Sequence, residues 1–312
     1  MEIAFIAAPL GTFKTSKDST YAMMQEAGRR GHSLYYMEPK DIYWRRRVYS
    51  QSRKLSVFEG SVPWYELAEV EDRPLDSFDA VMLRTDPPFD MEYLYSTYLL
   101  ELAEDDGAHI INRPRAVRDF NEKLAIARFP DLIVPTLVSS DLKRLRAFVA
   151  EEEDTVVKPL SEMGGSSIFL LRRDDPNLNV ILETITQNGV RTVMVQRFIP
   201  QIKEGDKRVL LIDGEPVPYA LARIPAEDDF RGNLAAGGRG EARPLSHRDR
   251  EIASEVGKRL QNEGLLLVGL DVIGDYLTEI NVTSPTGMQE IFRQTGFDAA
   301  SMMIDAVESR FG

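Results

Sequence analysis

The 312-residue chain contains no cysteine. Disulfides, cysteine-ligated zinc and thiol nucleophiles are therefore excluded, although this absence does not by itself fix a compartment. No stretch approaches the roughly 18 consecutive apolar residues of a membrane span. The opening Met1-Glu2-Ile3-Ala4-Phe5-Ile6 also lacks the basic flank of a signal peptide, so a soluble, cytoplasmic protein is expected. Basic residues are in deficit: 38 Lys+Arg stand against 50 Asp+Glu, a net charge of -12. Such a surface repels a phosphate backbone, which argues against a nucleic-acid partner and leaves any small anionic substrate in need of its own local arginines. Two phosphate-binding signatures are missing as well. No Gly-x-Gly-x-x-Gly turn follows the first strand, and no Walker lysine follows a glycine loop.

What is present is enough apolar residue, 43%, to build cores, in a chain longer than a usual single domain. Two or three packed units with a cleft between them follow. The first part alternates apolar runs with amphipathic stretches. Strands are expected at Ile3 to Ala8, Ser33 to Met37, Asp79 to Leu83 and His109 to Asn112, with a helix capped by Asp18 or Ser19 and another from Tyr93 to Ala103. This is an open α/β sheet. Tyr43 to Tyr49, basic and aromatic together, reads in so acidic a chain as an exposed hairpin or subunit contact rather than a nucleic-acid patch. Pro114 can start a helix running through Asn121-Glu122-Lys123 into Ala127. Beyond Pro130 the pattern becomes α+β, with strands at Thr155 to Lys158, Ser167 to Leu171, Thr192 to Phe198, Arg208 to Ile212 and Val217 to Ile224. Helices are expected from Leu178 to Thr186 and from Ser246 to Glu263.

Several segments could carry chemistry. On a strand, Glu279 and Asn281 project to one face; with Gly274, Asp275 and Tyr276 as the turn, Ile273 pairs with Leu277 and Asp271 comes opposite Glu279. Two carboxylates and a carboxamide with no histidine or thiolate suit Mg²⁺, though a hairpin with solvated acids is the alternative. Lys158 ends an apolar strand before a loop containing Gly164 and Gly165, whose backbone could approach phosphate oxygens; a plain hairpin turn with a solvated lysine is the competing account. At Gln196 to Ile199, backbone groups could meet an adenine edge while Phe198 and Ile199 cover its face, unless this is an ordinary strand end. Ile224 to Gly240, with four glycines and with Arg231 and Arg239, reads as a lid or as disorder. Arg208 and Arg223 flank it and could face an anion. Ser284 to Gly287 offers hydroxyls and free amides to a carboxylate, or is a simple Ser-Pro turn.

Taken in order, Asn121-Glu122-Lys123, Val157-Lys158-Pro159, Asp206-Lys207-Arg208, Arg223-Ile224-Pro225, Arg231 to Gly238, Gly269-Leu270-Asp271 and Thr278 to Thr286 resemble the bacterial glutathione synthetases of the ATP-grasp superfamily. Lys17-Asp18-Ser19, Arg84 to Asp90 and Val117 to Lys123 extend the likeness to nearly the whole chain. The resemblance implies an N-terminal open α/β domain (residues 1–120) followed by a two-lobed ATP-grasp fold, with a central lobe at 121–200 and a C-terminal lobe at 201–312. It implies an ADP-forming ligase that joins γ-glutamylcysteine and glycine through an acyl phosphate. It also implies ATP as co-substrate, Mg²⁺ (with Mn²⁺ as an alternative) as cofactor, and a homo-oligomer, tetramer or dimer.

By the same resemblance Lys123, Lys158, Gly164, Gly165 and Ser166 would hold the phosphates, and Gln196, Arg197, Phe198 and Ile199 the adenine. Asp206 would lie near the ribose, and Arg231 and Asn281 would also meet ATP. Asp271, Glu279 and Asn281 would bind two metal ions. Arg84, Arg208, Arg223, Ser284 and Thr286 would bind the dipeptide, with Arg208, Arg223 and Arg231 catalytic. Residues 224–240 would form the lid, including Gly232, Asn233, Gly237, Gly238 and Arg239. Ala226 to Phe230 and Gln289 depart from the family pattern. The rival expectations are an ATP-grasp ligase for another acid and amine, and a non-catalytic ATP-binding regulator.

Overall fold

Buried runs of apolar residues set the first layer of this computed structural model, which describes residues 1–162, 166–226, 232 and 237–312. Strand β1 (Glu2–Ala7) is wholly buried from Ile3 onward, as expected of a strand covered on both faces. Asp18 caps helix α1 (Ser19–Arg29), its carboxylate accepting from Thr20 N and Tyr21 N. Next come β2 (Ser33–Met37), β3 (Ile42–Arg45), β4 (Arg47–Val57), β5 (Tyr65–Pro74), β6 (Ala80–Arg84), helix α2 (Met91–Asp105), β7 (Ile110–Ile111) and α3 (Pro114–Asp119). Strands β2, β1, β6 and β7 lie parallel in that order, and β4 pairs with β2, β3 and β5 antiparallel.

The helix expected to run from Pro114 to Ala127 stops at Asp119. Asn121 Oδ1 accepts from the backbone N–H groups of Lys123 (3.2 Å) and Leu124 (2.9 Å), a local turn that replaces helical bonding and leads into a 3₁₀ stretch at Leu124–Arg128.

The second sheet is built from β8 (Thr136–Ser139), β9 (Asp154–Pro159), β10 (Phe169–Arg172) and β11 (Val193–Arg197), in the order β10-β9-β11-β8. Helices α4 (Leu142–Glu152) and α5 (Leu178–Ile185) bury Leu145, Val149 and Leu182 against Val157 and Val195. The third sheet orders β14 (Arg239–Pro244), β13 (Glu215–Ile224), β12 (Asp206–Ile212), β15 (Leu267–Ile273) and β16 (Tyr276–Asn281). Its period-2 pattern faces two cores. Val209 and Leu211 pack with Ile252, Val256 and Leu260 of α6 (His247–Asn262), whereas Leu210 and Ile212 face the opposite way.

On that opposite side α7 (Met288–Thr295) and α8 (Ala299–Phe311) join the third sheet to α1 and β1. Phe5, Met24, Leu210, Met303 and Val307 share one core. The chain ends meet beside it: the Met1 amino group lies 3.3 Å from His32 Nδ1, and His32 Nε2 lies 2.7 Å from Glu308 Oε1. Among the described residues no helix is long and apolar enough to cross a membrane.

Candidate functional site

A cavity of about 370 Å³ opens between the second and third sheets, and the strand ends supply its polar lining. The β15–β16 hairpin brings Asp271 opposite Glu279, as the sequence indicates, but by a different path. Ile273 pairs with Tyr276 rather than Leu277, and Val272 pairs with Leu277. Thr278 is therefore an extra residue, a bulge that restores the Asp271–Glu279 pair and turns Thr278 into the cavity lining. Its hydroxyl donates to Asp271 O at 3.1 Å.

Around this hairpin, cations converge from the other strands. Arg208 on β12 binds Asp271 in a fork, Nε to Oδ1 at 2.6 Å and Nη2 to Oδ2 at 3.2 Å. Arg223 on β13 reaches Asp271 Oδ2 at 2.9 Å and also pairs with Asp206. Lys158 Nζ, from β9, lies 3.5 Å from Glu279 Oε1 and 3.4 Å from Thr278 O. Lys123 Nζ donates to Glu162 O at 2.6 Å and stands 3.9 Å from the same Glu279 oxygen. All four cationic side chains are buried.

Burial on its own would push the Asp271 carboxyl up, yet Arg208 and Arg223 outweigh it and hold the group far below the usual carboxylate range. Asp206 goes the other way. Burial, reinforced by the negative Asp271 and Glu279, pushes its carboxyl up to about 7, because the Arg223 guanidinium it touches is shared with Asp271. Asp206 Oδ1 is buried with no hydrogen-bond partner among the described residues. Lys123 loses solvation, but Glu279 and Glu122 more than compensate and raise its affinity for the proton.

Gln196, Arg197, Phe198 and Ile199 line the far wall with Ile202. Gln196 Nε2 donates to Thr136 Oγ1 at 3.1 Å, the Arg197 side chain is turned outward onto Glu152, and the Phe198 N–H is taken by Asp154 O at 2.9 Å. Ser166, Gly232, Asn281, Ser284 and Thr286 also face the cavity. A Cβ at Gly232 would fall 2.6 Å from Arg223 O and 2.9 Å from the Asp206 Cβ, so this close approach needs glycine.

Arg84 is buried outside the cavity wall. Its Nη2 donates to Pro285 O at 3.0 Å and its Nε to Thr20 Oγ1 at 3.1 Å, supporting the Ser284–Thr286 turn from beneath. Arg239 is exposed on β14 against Glu241, and Gly237 and Gly238 do not line the cavity. Gly164, Gly165, Arg231 and Asn233 lie outside the described residues. Sequence reasoning did not single out Glu122 or Asp86. Glu122 lines the cavity 3.4 Å from Lys123 Nζ, its carboxyl raised by burial and by Glu279; Asp86 accepts from Ser284 Oγ. The Asn-Glu-Lys run was the sequence signal for the first, and the Arg84–Asp90 stretch, which contains the second, did not set it apart from its neighbours.

Asp271, Glu279 and Asn281 fit a hard divalent cation. Their donors are carboxylate and carboxamide oxygens, and the guanidinium and ammonium groups now on them show that the patch demands positive charge. Asn281 offers its amide nitrogen to Asp271 Oδ2 at 3.3 Å; the reversed amide orientation presents oxygen instead. Among the described residues no three His, Cys, Asp or Glu side chains form such a group, so the carboxamide and the substrate would have to complete the coordination.

Comparison with known proteins agrees along the whole length. Residues 1–118 match the model for the prokaryotic glutathione synthetase N-terminal domain, and residues 122–296 match that for the prokaryotic glutathione synthetase ATP-grasp domain. The glutathione synthetase of Nitrosomonas europaea is 57% identical, with 99% of this chain and 98% of that protein aligned. That of Escherichia coli O6:H1 is 49% identical over 99% and 98%. Among solved structures, D-cycloserine synthetase DcsG superposes with a TM-score of 0.69 at 15% identity over 100% of both chains. The ATP-grasp ligase PsnB complexed with a minimal precursor gives 0.65 at 20% over 98% of both. These two likenesses speak to the fold.

Proposed function

The chain belongs to the prokaryotic glutathione synthetase family, and on that premise we propose that it joins γ-glutamylcysteine to glycine while converting ATP to ADP and phosphate. The observation that carries the reading is the convergence of Lys123, Lys158, Arg208 and Arg223 on the Asp271–Glu279–Asn281 patch. A triphosphate and a carboxylate must meet before they react, and this is where their charge is best received.

A carboxylate is a poor acyl donor because oxide is a poor leaving group. Its oxygen first attacks the γ-phosphorus; the new O–P bond replaces the bond to the bridging oxygen, which departs with ADP. Lys123 and Lys158 leave their Glu279 pairing to spread the phosphate charge. The glycine amine then attacks the acyl carbon, and the tetrahedral oxyanion falls to Arg208 and Arg223. Collapse expels phosphate, and the amine proton passes to it or to solvent. Asp271, Glu279 and Asn281 would hold the divalent ions, which we take to be two Mg²⁺, and these would supply further neutralisation of the phosphate oxygens. Asp206 Oδ1, which has no hydrogen-bond partner among the described residues, is suited to a ribose hydroxyl, and the apolar strip at Phe198, Ile199 and Ile202 to the adenine face.

We place the lid at residues 224–240, of which 227–231 and 233–236 lie outside the described residues; at its base Ile224 pairs with Arg239, and the unit boundaries fall near residues 120 and 200. The ATP requirement points to a cytoplasmic enzyme, and the family resemblance to a homo-oligomer, tetramer or dimer. Phosphate release that needs ATP, γ-glutamylcysteine and glycine together, with oxygen-18 from the dipeptide carboxyl appearing in the phosphate, tests the reading. Label that stays in the peptide, or release that a different acid supports better, overturns it.

A further inference from the structure

The β15–β16 ladder runs from the Ile273–Tyr276 pair to the Gly269–Asn281 pair and goes no further. Leu267 and Thr283 would make the next hydrogen-bonded rung, since residues two apart on an antiparallel strand turn their backbone groups to the same side. A side chain from the first sheet takes that place. Leu267 N–H donates to Asn112 Oδ1 at 2.9 Å, and Leu267 O accepts from Asn112 Nδ2 at 2.7 Å. The carboxamide thus makes the two bonds, one accepted and one donated, that the Thr283 backbone would have made. Its second Nδ2 hydrogen goes to Val282 O at 2.8 Å, at the point where the chain leaves the strand. Asn112, Leu267 and Val282 are all buried. Two neighbours of Asn112 reach the same stretch of chain. Arg84, ending β6, donates to Pro285 O at 3.0 Å, and Asp86, just beyond it, accepts from Ser284 Oγ. The stretch from Val282 to Pro285 is therefore held by the first sheet and not by the strand that it follows. The part of β16 before it is secured separately, by its ladder to β15 and by the Ile280 N–H on Glu122 O at 2.8 Å.

We propose that Asn112 is a positioning residue for the acid substrate: by standing in for a strand partner, its carboxamide ends the β15–β16 ladder and aims the Thr283–Thr286 turn into the cavity. The proposal rests on the reading that this turn receives the dipeptide. Asn112 does not line the cavity, so it acts only through the chain that it holds. The place calls for one acceptor and two donors on a short side chain, which is what asparagine carries. An aspartate there would set a negative oxygen against two carbonyls, and an alanine would leave Leu267 N–H and O without partners. Unpartnered groups on Leu267 have one ready replacement, the Thr283 backbone. Taking it would add a rung to the ladder and draw the turn out of the cavity into the sheet. Asp271, Glu279 and Asn281 lie on the part of the hairpin that is already paired, so loss of Asn112 loosens the acid site and spares the nucleotide site.

The test uses the full chain with two replacements. Asn112→Ala removes all three bonds, and Asn112→Asp keeps the size and the acceptor while losing the donors. Steady-state kinetics and calorimetry, first with a non-hydrolysable ATP analogue and Mg²⁺ and then with γ-glutamylcysteine added, read the two sites separately. In both variants KM and Kd for γ-glutamylcysteine should rise about tenfold or more, while KM for ATP and Kd for the analogue stay within about twofold of wild type. A residue that served folding alone would lower the amount of active protein and scale all rates together, leaving both KM values where they were. Wild-type affinity for the dipeptide in the variants, an equal rise for dipeptide and nucleotide, or failure of both variants to fold each overturns the proposal while leaving the proposed reaction in place. A wild type that neither binds nor turns over γ-glutamylcysteine overturns the reaction itself, and the proposal with it.

Discussion

Gly269 shows how little room the site leaves. A Cβ there would stand 2.9 Å from Arg208 Cδ and 2.9 Å from Pro285 Cβ, so any side chain displaces either the guanidinium that forks onto Asp271 or the turn that carries Ser284 and Thr286. Gly269→Ala is expected to lower kcat/KM for the acid substrate by about 10- to 100-fold, since small misplacement at a reacting centre is costly. Unaltered steady-state kinetics would remove this constraint. Glu104, on α2, is half-buried; its one ion pair among the described residues is with Arg113 at 3.8 Å, and burial pushes its carboxyl up to about 7. An acid whose folded-state affinity for the proton is raised favours the folded state at low pH, and that contribution is lost as pH climbs from about 4.5 to about 7. Glu104→Gln cannot ionise. It should be more stable than wild type at pH 8, by on the order of 1–3 kcal/mol, and show little difference at pH 4.5. A pH-independent gap between the two melting midpoints would contradict this.

At the scale of elements, capping decides where helices begin. Ser246 accepts from Asp249 N, and Asp249 accepts from Ser246 N, a reciprocal pair that starts α6. Ser246→Ala should cost about 1 kcal/mol, read as a lower denaturation midpoint with activity retained at low temperature; an unshifted midpoint would show the cap to be redundant. This helix start, like that of α1 at Asp18, is legible in the sequence because a cap is a local interaction. The fully buried strand β1 is legible for a similar reason, as an uninterrupted apolar run. The β4–β5 hairpin is not. Most of β5 is exposed and rich in acidic residues, and what holds it is non-local: pairing with β4, Tyr65 and Leu67 against the core of the first sheet, and Arg73 on Glu2. The end of α3 was hidden too, because the side chain of Asn121 rather than a proline or glycine interrupts it. Within the site, the Asp271–Glu279 pair could be read from one hairpin, whereas Arg84 on Pro285 and Asp86 on Ser284 join residues about 200 positions apart, and no local pattern announces them.

Across the whole molecule, α8 makes the first and third sheets one body. Met303 is fully buried in the core that contains Phe5 and Leu210, so Met303→Ala leaves a cavity at the junction and should cost about 2–5 kcal/mol. Loss of near-ultraviolet signal from Trp44 on the first sheet and Trp64 just before β5 should shift together with loss of nucleotide binding between the second and third. Two separated transitions would instead mean that the junction is weak. The same packing sets Met1 against His32 and His32 against Glu308. Beginning and end of the chain are thus neighbours across a few side chains, and a short glycine-serine bridge would span them. Circular permutation is then open to this protein: new ends cut into the exposed turn around Gly60 and Val62, with the old ends fused, should yield the same architecture read in a different order.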